Sequence, residues 1–207
     1  MSLNVTREDF MSQEQVQRLK EVCRSRAQQA KKRGNKVPVR DWAILHVALD
    51  AGLRASELCN LRIRDLLLHQ GQSSIIVRKG KGDKKRGVAI GKELRRHLLD
   101  FLDWKEARRE GTDPKDVLFA SWRGGSPRMS RQAIYHVFKR WARRAGIPER
   151  FSIHSCRHTY ASMLYKSSNY NLRLVQSQLG HSSIQTTQVY ADVLNADAER
   201  AVNDLPQ

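Results

Sequence analysis

The sequence predicts a mainly α-helical fold carrying one small antiparallel β-sheet, an α+β arrangement. Three observations point there. Apolar residues recur at helical spacing through most of the chain. Two compact runs containing β-branched residues, Ser73–Val77 and Gly87–Ile90, flank a glycine-containing turn, the pattern of a β-hairpin. Gly52, and Gly146 with Pro148, punctuate the helical segments.

Taken in order, Ser12 followed by Gln15 has the capping-box pattern and opens a helix through about Ala30, with Val16, Leu19 and Val22-Cys23 on its apolar stripe. The basic turn Lys31–Lys36 ends it. A second helix, Val39 to Ala51, carries Trp42, Ile44-Leu45 and Ala48-Leu49, and Gly52 breaks it. Ser56 opens a short helix through Leu61. The hairpin follows, its strands joined through the basic run Arg78–Arg86. Lys92 to Arg109 reads as a long amphipathic helix, Val117-Leu118-Phe119 as a third short strand, and Gly124-Gly125-Ser126-Pro127 as a loop. Ser130 caps a helix to about Ala145. Further helices are expected over roughly 153–166, 171–179, 182–190 and 192–203. There is no internal repeat and no low-complexity segment.

At 207 residues the chain can bury a sizeable core as one domain. Its charge is the compositional outlier: 38 Lys and Arg against 21 Asp and Glu, a net +17. Each phosphate neutralised by such a surface releases counterions, so a polyanionic partner is favoured over a merely solvated basic face. Cys23, Cys59 and Cys156 are odd in number and far apart, matching neither a disulfide framework nor a Cys-x-x-Cys zinc pattern. No apolar run approaches the ~20 residues of a membrane helix, and the N-terminus lacks the build of a secretory signal. The expectation is a soluble cytoplasmic protein with no membrane partner.

Two motifs carry chemistry. An isolated His-x-x-Arg is more often a capped helix start with a surface arginine, but here His154 and Arg157 sit in the ten-residue block Ile153-His154-Ser155-Cys156-Arg157-His158-Thr159-Tyr160-Ala161-Ser162. At three apart on a helix, both side chains share a face. Leu179-Gly180-His181 follows, with Tyr190 nine positions after the histidine. Upstream lie Gly52-Leu53-Arg54-Ala55-Ser56-Glu57-Leu58 and Gly80-Lys81-Gly82. Attack of a protein hydroxyl on a phosphodiester builds negative charge on the non-bridging oxygens and needs a proton for the departing alkoxide. Guanidinium groups suit the first task, lysine or histidine the second. His154 and His158 also read as His-x-x-x-His, but Ser155 stands where a metalloprotease needs glutamate and no further ligand lies near, so no metal is expected. His158 is expected to be a buried, hydrogen-bonded accessory residue.

Together these boxes resemble the tyrosine recombinases, the phage-integrase family, from about Thr6 to Val202. The resemblance implies the recombinase catalytic-domain fold and six catalytic residues: Arg54, Lys81, His154, Arg157, His181 and Tyr190. Tyr190 would attack the scissile phosphate, giving a 3′-phosphotyrosyl link and a free 5′-hydroxyl. His154 would take the phenol proton and Lys81 would protonate the leaving oxygen, with Lys79 and Lys84 as alternatives to Lys81. Glu57 would orient rather than transfer protons. The helix opened by Ser130 would enter the major groove, bringing Arg131 and Gln132 to base edges and Lys139 and Arg140 to phosphates, while Lys79 and Lys84 also face DNA. No cofactor, ATP or metal is implied. The partners implied are double-stranded DNA, further copies in a homotetramer on DNA with a monomer in solution, and DNA-bending accessory proteins. The location implied is cytoplasmic, on the nucleoid when DNA-bound.

In domain terms, the expectation is one catalytic domain over 1–207, with residues 1–38 an N-terminal helix and basic turn and 191–207 a C-terminal tail docking on a neighbouring protomer. Only about forty residues precede Trp42, too few for the separate DNA-binding domain, on the order of one hundred residues, that most family members carry. The chain would then be a catalytic fragment or a short member resembling the fimbrial phase-switch invertases. Two other readings stay open: a type IB topoisomerase-like nicking-closing enzyme, and a non-catalytic DNA-binding regulator. A metal-dependent nuclease is disfavoured because no carboxylate cluster is present.

Overall fold

The computed structural model describes residues 6–71, 73–78, 85–122, 127–181 and 183–194. A 3-10 turn at Arg7–Asp9 leads into α1 (Gln13–Lys32), which opens with the expected capping box: Ser12 Oγ accepts from the Gln15 amide at 3.2 Å and Gln15 Oε1 from the Ser12 amide at 2.8 Å. Next, α2 (Lys36–Ala51) starts three residues earlier than expected, because the Asn35 side chain accepts from the Val37 amide at 3.2 Å and caps it. From Val39 to Leu49 every α2 side chain is buried, and α1, α4 and α6 pack around it. Gly52 ends α2 in the left-handed conformation (φ 60°), and a Cβ there would meet Tyr160 Cδ1 at 2.4 Å. Then α3 (Ala55–Asn60) follows.

The sheet has three antiparallel strands in the order β1 (Leu66–Leu68), β2 (Ser73–Arg78), β3 (Lys85–Ala89). Leu66 pairs with Ile75, and Ser74 with Ala89. The hairpin is as expected, but the third strand is not. Val117 forms only an isolated bridge with Arg62, while Leu118 and Phe119 turn into the core. The third strand is Leu66–Leu68, a run of leucines without the polar alternation that would have marked it. Lys79, Lys81, Lys84 and residues 124–126 of the expected loop lie outside the described residues.

Beyond the sheet come α4 (Lys92–Ala107), α5 (Arg131–Arg144), α6 (Ile153–Ser167), α7 (Leu172–Leu179) and α8 (Gln185–Leu194). The separate helices expected over 182–190 and 192–203 are corrected here: α8 runs through Ala191 without a break, so Tyr190 sits inside a helix rather than between two. Residues 195–203 of the second lie outside the described residues.

Two polar clusters pin the helices. Asp41 on α2, fully buried, accepts from Trp141 Nε1 (3.0 Å) and Arg140 (2.6 Å) of α5 and from Arg40 (3.2 Å). His46 on α2 meets His97 on α4 through their Nδ1 atoms at 2.7 Å, and its Nε2 lies 3.1 Å from Asp50. One of the two Nδ1 atoms donates to the other, so His46 and His97 form a direct imidazole–imidazole hydrogen bond between α2 and α4. Trp42 stacks on both rings. One large apolar cluster unites α1–α6. A second, smaller one consists of Ala161, Tyr165, Val175, Leu179, Tyr190 and Ala191. Among the described residues no helix is long and apolar enough to cross a membrane.

Candidate active site

The site forms where α2 ends, α6 begins and α7 ends. After the turn at Gly52 the chain is extended at Arg54, and Glu57, one turn into α3, accepts from the Arg54 amide at 2.8 Å and from its Nη1 at 3.1 Å. The same carboxylate accepts from Nη1 and Nη2 of Arg86 on β3, at 2.8 and 3.1 Å, and lies 4.0 Å from Arg157 Nη1. One anion therefore sits among three cations. Burial works against the Glu57 charge, but the hydrogen bonds from Arg86 and the Arg54 amide and the charges of Arg86 and Arg157 hold its pKa below the usual carboxylate value.

Helix α6 opens with Ser152 accepting from the His154 amide at 3.2 Å. That start sets His154 at the exposed edge and turns Arg157 inward to 3% exposure. Arg157 donates Nη1 to Gly52 O and Nη2 to Leu179 O, each at 2.7 Å. It thereby ties the first arginine box to the Leu-Gly-His box, segments more than a hundred residues apart in the chain. Burial, then the neighbouring Arg54 charge, lower its pKa to about 10, so it stays protonated at neutral pH.

Gly180 caps α7 with φ 65°, and a Cβ there would meet Arg86 Cδ at 2.5 Å. Only glycine fits both the backbone conformation and the space. Arg86 Nε donates to Gln178 O at 3.2 Å. His181 follows, its Nδ1 3.0 Å from Thr187 Oγ1 and its ring nearly parallel to that of Tyr190, with centroids 6.4 Å apart.

Tyr190 is 2% exposed, and its hydroxyl lies 3.0 Å from His158 Nδ1. Burial raises the phenol to about 12 despite the nearby charges of Arg157 and Arg54. Burial likewise lowers His158 and His181 to about 4 and moves His154 down, with Arg157 and other cations adding to the shift. The three imidazoles are neutral at pH 7 and able to accept a proton.

Five of the six expected catalytic residues thus converge: Arg54, His154, Arg157, His181 and Tyr190. The sixth, Lys81, lies outside the described residues. The partners of two further residues were not foreseen from sequence. His158, expected only as a buried accessory, is the group on the phenol. Arg86 was one of six cations in a basic run, and nothing in that run distinguished the one that faces Glu57. Among the described residues no three His, Cys, Asp or Glu side chains are grouped to hold a metal ion.

At the start of α5, Arg131 and Gln132 are exposed, next to α3, and Arg128 bonds Asn60 at 2.6 Å. Lys139 donates to the Glu149 carbonyl, and Arg140 is held by Asp41, so both already have partners within the fold.

Comparison with known proteins gives a consistent result. The profile of the phage integrase family matches residues 9–197. Tyrosine recombinase XerD of Haemophilus ducreyi is 40% identical over 158 residues, covering 76% of this chain and 51% of that protein. Tyrosine recombinase XerC of Caldanaerobacter subterraneus is 33% identical over 168 residues, 81% of this chain and 45% of that one. The chain spans about half the length of these curated relatives. Among solved structures, the pre-cleavage complex of the XerH site-specific recombinase with its difH substrate superposes with a TM-score of 0.74 at 27% identity, covering 97% of this chain and 54% of that one. The XerA recombinase gives 0.73 at 30% identity, covering 96% and 66%.

Proposed function

The chain belongs to the phage integrase family, and from that premise we propose that it forms the catalytic unit of a site-specific DNA recombinase, cleaving and rejoining strands through a 3′-phosphotyrosyl intermediate. The observation that carries this reading is the convergence of two arginines, three imidazoles and one phenol from chain segments that have no other reason to meet.

In the proposed reaction Tyr190 Oη attacks the scissile phosphorus. The new tyrosyl-oxygen bond to phosphorus forms as the bond to the 5′-oxygen breaks. Arg54 and Arg157 face the non-bridging oxygens, where charge builds in the transition state. His154, at the exposed edge beside the arginines, takes the phenol proton, and His158 holds the phenol beforehand. His181 donates to a phosphate oxygen. The proton for the 5′-oxygen is assigned to Lys81 through the family resemblance. Rejoining is the same step reversed with a 5′-hydroxyl as nucleophile, so the phosphodiester energy is kept and neither ATP nor metal is needed.

Double-stranded DNA as partner, with Arg131 and Gln132 toward base edges and Lys139, Arg140, Lys79 and Lys84 toward phosphates, belongs to the same proposal. So do the single catalytic domain, assembly as a homotetramer on DNA, DNA-bending accessory proteins and a place on the nucleoid. The curated relatives and solved neighbours are named recombinases, which favours strand exchange over nicking-closing alone or a purely regulatory role.

The test is a nicked suicide duplex carrying the recombination site, incubated with protein in EDTA and resolved on a denaturing gel. A covalent protein–DNA adduct is expected, and Tyr190→Phe should abolish it. No adduct on a duplex the protein demonstrably binds would overturn the proposal.

A further inference from the structure

The small apolar cluster around Tyr190 is built from α6, α7 and α8, with one exception. Among its described members, Phe10 alone comes from outside residues 160–191. It lies at the other end of the chain, just before α1, with its ring centroid 6.2 Å from that of Tyr190 and 6.5 Å from that of His158. Phe10 thus touches both partners of the phenol–imidazole hydrogen bond.

The segment bearing Phe10 is held in place by its own bonds. Asp9 accepts from the Thr6 amide at 2.7 Å, and the Asp9 amide donates to Thr6 O at 3.1 Å, closing the 3-10 turn. The Met11 amide donates to Thr159 Oγ1 at 2.9 Å in a buried contact, docking the segment on α6. Met11 itself is 3% exposed and belongs to the main core. Consecutive side chains therefore point into different clusters, Met11 into the body of the domain and Phe10 onto the tyrosine.

A nucleophile that is 2% exposed, with its hydroxyl engaged by His158, cannot reach a phosphate on a DNA backbone without moving. Such movement must pull the Tyr190 ring away from Phe10. We propose that Phe10 is a positioning residue that holds Tyr190 retracted against His158, so that release of the nucleophile requires this ring contact to be broken. The inference rests on the reading of Tyr190 as the nucleophile. The segment that carries Phe10 becomes the control element: any load that shifts residues 6–11 off α6 frees the tyrosine, and any that seats them restrains it.

The experiment uses the full chain without DNA. N-acetylimidazole transfers its acetyl group to accessible phenol oxygens, and peptide mass spectrometry reads the extent at each tyrosine. Tyr170, 56% exposed, is the internal standard, and Tyr165, 6% exposed in the same cluster, reports on general loosening. In the unsubstituted protein Tyr190 and Tyr165 should both be protected. Phe10→Ala should raise Tyr190 acetylation relative to Tyr170 by about two- to tenfold, the shift expected from losing one aromatic contact, while Tyr165 stays protected. Phe10→Leu, which keeps apolar bulk, should restore most of the protection. If Phe10→Ala loosens the whole cluster, Phe10→Leu decides: a smaller, selective rise at Tyr190 supports the proposal. Unchanged Tyr190 protection in Phe10→Ala, or Tyr190 and Tyr165 rising together in both variants, would overturn it. Because no DNA is involved, this outcome is independent of adduct formation. A chain that forms the adduct but fails here loses only the role of Phe10.

Discussion

At the scale of single residues, the two arginines of the site have different duties although sequence motifs present them as a pair. Arg157 is buried and donates to two backbone carbonyls, whereas the Arg54 side chain is 37% exposed and ion-paired to Glu57. Lysine can replace the charge of either but not the planar fork. Arg157→Lys leaves a buried carbonyl unsatisfied and should cost about 1–3 kcal/mol of stability, read as a lowered urea midpoint, together with a fall of about a hundredfold or more in first-turnover adduct formation. Arg54→Lys should lower the rate with little change in the midpoint. Equal effects on both readouts from both variants would contradict this division. Arg54, His154 and Arg157 stood out because they sit in local boxes with fixed spacing, and Tyr190 was singled out only through the family resemblance; the fold brings these four together. The hydrogen bond between Tyr190 and His158, and the choice of Arg86 from its basic run, were not legible in the sequence, because each depends on a contact made only after folding.

At the scale of elements, the ends of helices were the most legible feature because caps are local chemistry. Ser12, Ser130 and Gly52 mark ends that the structure keeps to within two residues or so. The misses were decided by tertiary context. Leu66–Leu68 becomes a strand only because β2 offers it a pairing edge, and α8 continues past Ala191 because Tyr190 and Ala191 bury together. The left-handed glycines separate backbone strain from crowding. Gly146 has φ 62° with nothing within 4 Å of a Cβ, whereas Gly180 has φ 65° and Arg86 in the way. Gly146→Ala should therefore cost about 1 kcal/mol. Gly180→Ala should cost more and also slow adduct formation, since Arg86 must shift and carries Glu57 with it. Thermal unfolding and single-turnover assays of the two variants side by side check this, and equal penalties would refute it.

At the scale of the whole molecule, acid lability follows from the buried imidazoles. Burial lowers His97 to about 3 and His158 and His181 to about 4, all below the ordinary histidine value near 6.5. The unfolded chain then binds protons that the folded chain refuses. Their contribution is fully present above about pH 6.5 and declines as pH falls toward 4, by up to about 1.4 kcal/mol per pH unit for each group. Urea midpoints should drop steadily between pH 7 and 5, before the carboxylates begin to titrate; a flat profile would show that the imidazoles are not protected. The distribution of charge has a different consequence. In the proposed DNA-binding role, a chain of net +17 gains affinity mainly by releasing the cations condensed on the DNA phosphates it neutralises. At the candidate site part of the positive charge is already offset within the fold, because Glu57 lies among Arg54, Arg86 and Arg157 as a built-in counterion. Ionic strength should accordingly act most on the grip of the exposed basic surface and less on the partly neutralised pocket around Glu57.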